Sequence, residues 1–331
     1  MKTFYRIMIL PLLLMTACAN THIPKARITF KVTNQDGVPI VNEPTRVGFY
    51  PKDTVYGKTD KNGYFTAEGR TLSDYLFAIG RLKVDEDSPK YYATYFRKDI
   101  ADWKNYPTDG KWKPWNETIE VVVKEKLNPI PMYAINFFDF KSNIPSLDKW
   151  VGYDLEKNDW IKPYGNGLMA DFEYYLSLTF CKGQFLKQSL KIRFPHSGAG
   201  YYLMKKDLGH ALSSTYHADV NQNYQSEITF TKTYLYSHEN FSFSSNDSFL
   251  LGKEDYMVFR TRTKVDDSGN LIEAQYGKIY GPIDFNFLLK PTGEIISKSI
   301  HMAYHLNPNV NDTNLECNGK SLIKGIRRVA P

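Results

Sequence analysis

Apolar and polar residues alternate with the two-residue period of half-buried strands over most of the chain. Ile28, Phe30 and Val32 alternate with Thr29 and Lys31. A second strand is expected over 46–50 and a third at Tyr64-Phe65-Thr66, with further strands over 75–83 and 118–124, at the spacing of a β-sandwich. Asn34-Gln35-Asp36-Gly37 and Asp60-Lys61-Asn62-Gly63 read as turns, because glycine accepts the positive φ that a tight hairpin asks for. Farther on, Phe172, Tyr174, Leu176, Leu178 and Phe180 share one strand face, and Leu190, Ile192 and Phe194 alternate with Lys191 and Arg193. Strands are also expected over 228–236, 256–264, 271–280 and 294–306, with Asp266-Asp267-Ser268-Gly269-Asn270 as a hairpin connection. No strong 3.6-residue period of helical length occurs, and residues 97–103 are the one short helix candidate. The expectation is an all-β chain of two regions. Leu127-Asn128-Pro129-Ile130-Pro131 is the boundary, since two prolines restrict the backbone and remove donors a sheet would need.

The first residues follow another pattern. Lys2 and Arg6 form a basic start, and Ile7 to Met15 is apolar apart from Pro11. Thr16, Ala17 and Cys18 follow, which is signal-peptide architecture. The apolar run is shorter than the roughly 20 residues a membrane-spanning helix needs. Leu14-Met15-Thr16-Ala17-Cys18 resembles the bacterial lipobox, with Met15 where leucine is usual. That resemblance implies cleavage before Cys18, lipid on its sulfur and amine, and a membrane as partner through the anchor; two acyl chains suffice for stable attachment. Ala19 stands where the enterobacterial inner-membrane retention signal has aspartate, so the resemblance favours the outer membrane. The expected organisation is a signal peptide over 1–17, a lipidated cysteine and tether over 18–25, a first β-domain over 26–126 and a second over 127–331.

Composition supports strands: aromatic residues make up 15% of the chain, with 24 Tyr and 20 Phe. The formal charge of +6 falls to +4 once the two basic residues of the signal peptide are gone, a balance that gives no reason to expect nucleic acid. In an oxidising compartment Cys181 and Cys317 can pair, closing a loop of about 136 residues. The alternative is two separately buried thiols.

"ITFKVTNQDGVPIVN" followed by "GKTDKNGYFTAEG" is similar to the carboxypeptidase-regulatory-like, or transthyretin-like, module. Asp36, Gly37, Pro39 and Ile40 match its first turn, and Thr59, Asp60, Gly63 and Phe65 its hairpin. The resemblance implies a transthyretin-like or Ig-like β-sandwich at the N-terminus, followed by a larger antiparallel β-sandwich region. Such modules serve as spacers, stabilisers or adhesive units, so no activity follows. "YMVFRTRTKVDDSGNLIEAQYGKIYG" resembles the last hairpin of a fibronectin type III domain. "NPIPMYA", "GYDLEKNDW" and "YHLNPNVNDTNLE" resemble stretches of bacterial envelope proteins without an assigned activity.

No catalytic, cofactor or metal constellation is expected. His301 and His305 sit on a strand-like stretch, about 13 Å apart on one face, too far for one zinc ion. Asp219, Asn221, Asn223 and Glu227 fall short of a calcium loop, since Tyr224 stands where glycine is wanted. "HSGAG" at 196–200 lacks the nucleophile-elbow pattern. A crosslink from Lys31 to a last-strand asparagine is conceivable but unmarked. The densest feature is aromatic: Trp103, Tyr106, Trp112 and Trp115 fall within "WKNYPTDGKWKPW". Indoles on a loop can stack on sugars or anchor a partner, or they can pack inside their own domain. The functional expectation is an envelope lipoprotein with a non-catalytic binding or structural role toward a glycan or protein partner. The alternatives are an enzyme acting on cell wall or polysaccharide, with a site scattered over strands, and a structural subunit of an envelope complex.

Overall fold

The computed structural model describes residues 23–51, 53–80, 90–92, 94–99, 107, 109–140, 143–181, 185–205, 214–235, 245–247, 255–289 and 294–329. No α-helix occurs among them. The chain is all-β and divides into two compact units.

The first unit takes in residues 39–80 and 96–121 and the chain up to Val32. Its strands are β1 (Lys25–Thr33), β2 (Pro44–Pro51), β3 (Asp53–Lys58), β4 (Tyr64–Gly80), β5 (Thr94–Asp99) and β6 (Glu117–Val122). They run in the order β3-β2-β4-β1-β6, with β5 also on β4. The long β4 changes partner along its length: Tyr64 to Arg70 face β1, whereas Thr71 and later residues face β2. Ile28, Phe30 and Val32 are all buried, as the alternation predicts, and Thr29 on the other face is buried as well, where its hydroxyl bonds Thr66 and Asn116. Gly37 and Gly63 take φ values of 76° and 80°, as their turns require. Residues 97–99 belong to β5, a correction to the helix expected from 97 onward; residues 100–103 lie outside the described residues.

The second unit takes in residues 33–38, 81–95 and 122–331. Its strands are β7 (Ile130–Ile135), β8 (Trp150–Asp154), β9 (Asp159–Trp160), β10 (Phe172–Cys181), β11 (Phe185–Arg193), β12 (Gly200–Lys205), β13 (Glu227–Leu235), β14 (Ser245–Asp247), β15 (Asp255–Val265), β16 (Leu271–Leu289), β17 (Ile295–Leu306) and β18 (Cys317–Ser321). They form two six-stranded sheets, β14-β13-β11-β10-β8-β9 and β12-β15-β16-β17-β7-β18. Register places Tyr174 opposite Ile192 and Leu190 opposite Phe230 on one sheet. On the other, Phe285 faces Ile300 and Ile279 faces Tyr304. Side chains of both sheets share one core, with Phe172, Tyr174 and Leu190 from the first and Phe259, Phe285 and Tyr304 from the second. This is sandwich packing.

One pairing departs from the antiparallel expectation. β18 runs parallel to β7, with Cys317 opposite Ile130 and Ser321 opposite Met132. β7 includes Pro131, although the two prolines predict a break in any sheet. β17 pairs with β7 only over Tyr133–Ile135, so the missing N–H at Pro131 costs no ladder bond on that side.

The Cys181–Cys317 disulfide is corrected. Cys317 is a free, fully buried thiol, packed with Met132, Ala134 and Val329. Burial pushes the Cys317 thiol above its usual range.

Candidate ligand cleft beside Arg262

The β15–β16 hairpin creates an irregularity with a use. Thr261 pairs with Gln275 and Lys264 with Glu273, so Arg262 and Thr263 together oppose the single residue Ala274. This is a β-bulge, which re-aims a side chain. Arg262 takes φ 52°, a left-handed conformation uncommon for a residue with a side chain. Its guanidinium turns toward three carboxylates. Nε donates to Asp171 Oδ1 at 2.8 Å and Nη2 to Asp171 Oδ2 at 2.9 Å. Nη2 also donates to Asp154 Oδ1 at 2.9 Å, and Nη1 pairs with Glu156. Burial opposes this charge, but the bonds from Asp171 and Glu156 outweigh it and hold Arg262 above its ordinary range. Burial pushes the carboxyl of Asp171 up, against the pull of Arg262.

The same carboxylates brace the 154–171 segment. Asp154 accepts the backbone N–H of Glu156 and Lys157 on one oxygen and of Leu168 and Met169 on the other. Asp171 accepts from Leu155 N–H at 2.8 Å and from the Thr261 hydroxyl at 3.0 Å. Gly165 is required in this segment, because a Cβ there would lie 2.3 Å from Asp159 Oδ1 and from Trp160 O. The 196–200 turn is also fixed: His196 Nε2 meets Ala170 O at 3.0 Å, Thr263 donates to Ser197 O at 2.7 Å, and Arg260 donates to Gly198 O at 2.7 Å. The Gly198 carbonyl and Ser197 carbonyl thus serve the scaffold.

A cavity of about 450 Å³ opens against this framework, lined by Glu156, Met169, His196, Arg262, Thr263, Lys264, Glu273, Gln275 and Val310. Lys264 and Glu273 form a rim ion pair at 2.7 Å. Met169 and Val310 are exposed apolar side chains at the same opening. The Thr263 hydroxyl and the Gln275 amide nitrogen are bonded to Ser197 O and Pro308 O, so the Lys264–Glu273 pair and Glu156 are the charged groups that meet beside apolar surface. That set suits a neutral, hydroxyl-rich ligand, which needs donors and acceptors together. Among the described residues no group of His, Cys, Asp and Glu is arranged to hold a metal ion.

A second polar cluster in this unit is closed to solvent. Lys124, Ser214 and Lys278 are each 3% exposed or less. Lys278 Nζ lies 3.2 Å from Ser214 Oγ, which meets Tyr280 OH at 2.6 Å. Lys124 donates to Ser214 O and stands 4.3 Å from the Tyr216 ring centroid. Glu316 is the nearby carboxylate, bonded to Tyr92 OH at 3.0 Å and to the N–H of Asn128 at 2.7 Å. Burial, joined for Lys124 by the charge of Lys278, drives both lysines down to about 7.

The residues expected from sequence fall elsewhere. Trp112 is buried in the first unit, 2% exposed, with its indole N–H donating to Thr71 O at 2.8 Å. It contributes no contact surface. Trp115 is half-buried, with Lys111 Nζ 5.1 Å from its ring centroid. Trp103, Tyr106 and Cys18 lie outside the described residues. Lys31 pairs with Glu120 at 3.2 Å. Asp219 caps its own turn, accepting from Asn221 N–H at 2.9 Å. Arg262 carries no sequence signal, because it reads as one more polar residue on an alternating strand; Asp154 and Asp171, at the ends of apolar runs, are the available hint.

No protein-family model and no curated protein matches the chain. Among solved structures it is similar to a DUF3823 family protein from Parabacteroides merdae, at 10% identity and a TM-score of 0.21, over 86% of this chain and 98% of that one. A DUF3823 family protein from Bacteroides ovatus gives 9% identity and a TM-score of 0.18, over 68% of this chain and 96% of that one. At these TM-scores the likeness carries no argument about this chain's architecture or role.

Proposed function

We propose that the chain is a lipid-anchored protein of the outer membrane that holds a glycan in the cleft beside Arg262 without catalysing a reaction. The lipobox resemblance at Cys18 supports the anchor, and Ala19 after it supports the outer membrane. The resemblance to carboxypeptidase-regulatory-like modules supports a spacer role for the first unit. The observation that carries the binding role is the cleft lining, where the partly exposed Lys264–Glu273 pair and the Glu156 carboxylate border the exposed side chains of Met169 and Val310 around one opening.

The rim pair allows a test that leaves the scaffold alone, since Lys264 and Glu273 are partly exposed and bond to each other. Lys264→Ala combined with Glu273→Ala should alter stability by no more than about 0.5 kcal/mol. Titration calorimetry with envelope polysaccharide fragments should show binding to the wild type and at least a several-fold loss in the double variant. Absence of glycan binding by the wild type sinks the proposal. The presence of Glu156 and Glu273 in one cleft favours a polysaccharide-acting enzyme as the second reading. Against it, both carboxylates are engaged in ion pairs with Arg262 and Lys264, whereas a general acid wants an apolar, unpaired setting. Release of reducing ends from the same fragments would decide for the enzyme.

A further inference from the structure

One lysine reaches from sheet to sheet in the larger sandwich. Lys232 stands on β13 opposite Gln188, on the inward face that Ile228 and Phe230 begin. Its side chain is 6% exposed. Beyond Tyr280, β16 pairs with β17 but has no β15 residue opposite it among the described residues. The lysine meets that stretch of β16. Nζ lies 2.7 Å from Asp284 Oδ1, 3.0 Å from Phe285 O and 3.5 Å from Asn286 Oδ1. The Asn286 amide nitrogen donates to the other oxygen of Asp284 at 2.7 Å. One carboxylate therefore touches both an amine and a carboxamide nitrogen, while the amine touches the carboxamide oxygen. Residues two apart on a strand share a face, which is why Asp284 and Asn286 can present this arrangement together.

We infer that Lys232 and Asn286 join in an intramolecular isopeptide bond, with Asp284 carrying the proton. The Lys232 ammonium gives one proton to the Asp284 carboxylate, and the neutral amine attacks Cγ of Asn286. Asp284 then passes its proton to the amide nitrogen, the Cγ–Nδ2 bond breaks, and ammonia leaves as the new Cγ–Nζ bond is completed. The amine's second proton is released with the ammonia as ammonium, the carboxylate is regenerated, and no oxidant or cofactor is consumed. The fixed contacts supply the proximity that an amide and an amine lack in solution. Asp284 is within hydrogen-bond reach of both nitrogens, as a general acid and base must be. Lys232 is held beside the Phe285 ring, its Nζ 4.8 Å from the ring centroid. Asn286 is exposed, so the ammonia has a way out. The bond would tie β13 of one sheet to β16 of the other.

Peptide mass spectrometry of the purified, denatured full chain tests this. Trypsin should release one branched species containing Lys232 and Asn286, lighter by one ammonia than its two arms, with no cleavage after Lys232. Asp284→Ala and Asn286→Ala should each yield the two ordinary peptides instead. Ordinary peptides from the wild type, cleaved after Lys232, overturn the inference whatever the variants do. A branched species that persists in Asp284→Ala overturns the role given to that carboxylate.

Discussion

Replacing Lys278 by methionine keeps most of the side chain's volume and removes an ammonium that is 2% exposed. Burial has moved that ammonium from 10.5 to about 7, despite the favourable charge of Glu316. The displacement corresponds to about 5 kcal/mol between the charged and neutral forms. Lys124 is displaced to about 7 as well, and the two share Ser214 as a hydrogen-bond partner. In the unfolded chain both lysines stay protonated up to about 10.5, so between about pH 7 and 10.5 the unfolded state binds more protons than the folded one. Stability therefore rises with pH across that window. Below about pH 7 both states are protonated and the full penalty is present. Lys278→Met should gain about 1–4 kcal/mol at neutral pH, the range seen when buried charges give way to apolar side chains. It should also reduce the rise toward alkaline pH. Urea unfolding at pH about 6, 7.5 and 9 for both proteins measures this. A variant less stable than wild type at neutral pH, or a wild type whose stability stays flat or falls from pH about 7 to 9, refutes the reasoning.

Three further outcomes are expected. Arg262→Ala leaves Asp154 and Asp171, 2% and 0% exposed, without their cation; thermal unfolding should report a loss of about 3–5 kcal/mol, and an effect below about 1 kcal/mol would contradict the bracing role. Trp112→Ala removes a buried indole and its bond to Thr71, so the melt should show a loss of about 3–5 kcal/mol, whereas unaltered melting would return Trp112 to the surface. Cys18→Ser should abolish palmitate labelling and membrane fractionation, and a wild type that is soluble and unlabelled ends the proposed anchor.

Local chemistry was legible in the chain alone. The two-residue period marked β1, β10, β11, β13, β15, β16 and β17, and the Asp-Gly turns appear where glycine and aspartate ask for them; Asp266, for example, accepts the N–H of Ser268 and Asn270 in its hairpin. These signals act over two to five residues, so a sequence carries them without help. The short strands β9, β14 and β18 have too few residues to show a period, and only their neighbours define them. Burial of Trp112 could not be read either, because a proline- and glycine-broken loop looks the same whether its indole faces water or its own sheet. The cleft depends on contacts across the chain: Arg262 meets Asp171 91 residues away and Asp154 108 residues away. Its inward aim rests on a bulge, an extra residue relative to the partner strand, which one strand's sequence does not contain. The free state of Cys317 has the same origin. Composition allowed a disulfide, but the fold buries the Cys317 thiol among Met132, Ala134 and Val329, and surroundings in space, not the count of thiols, decide pairing.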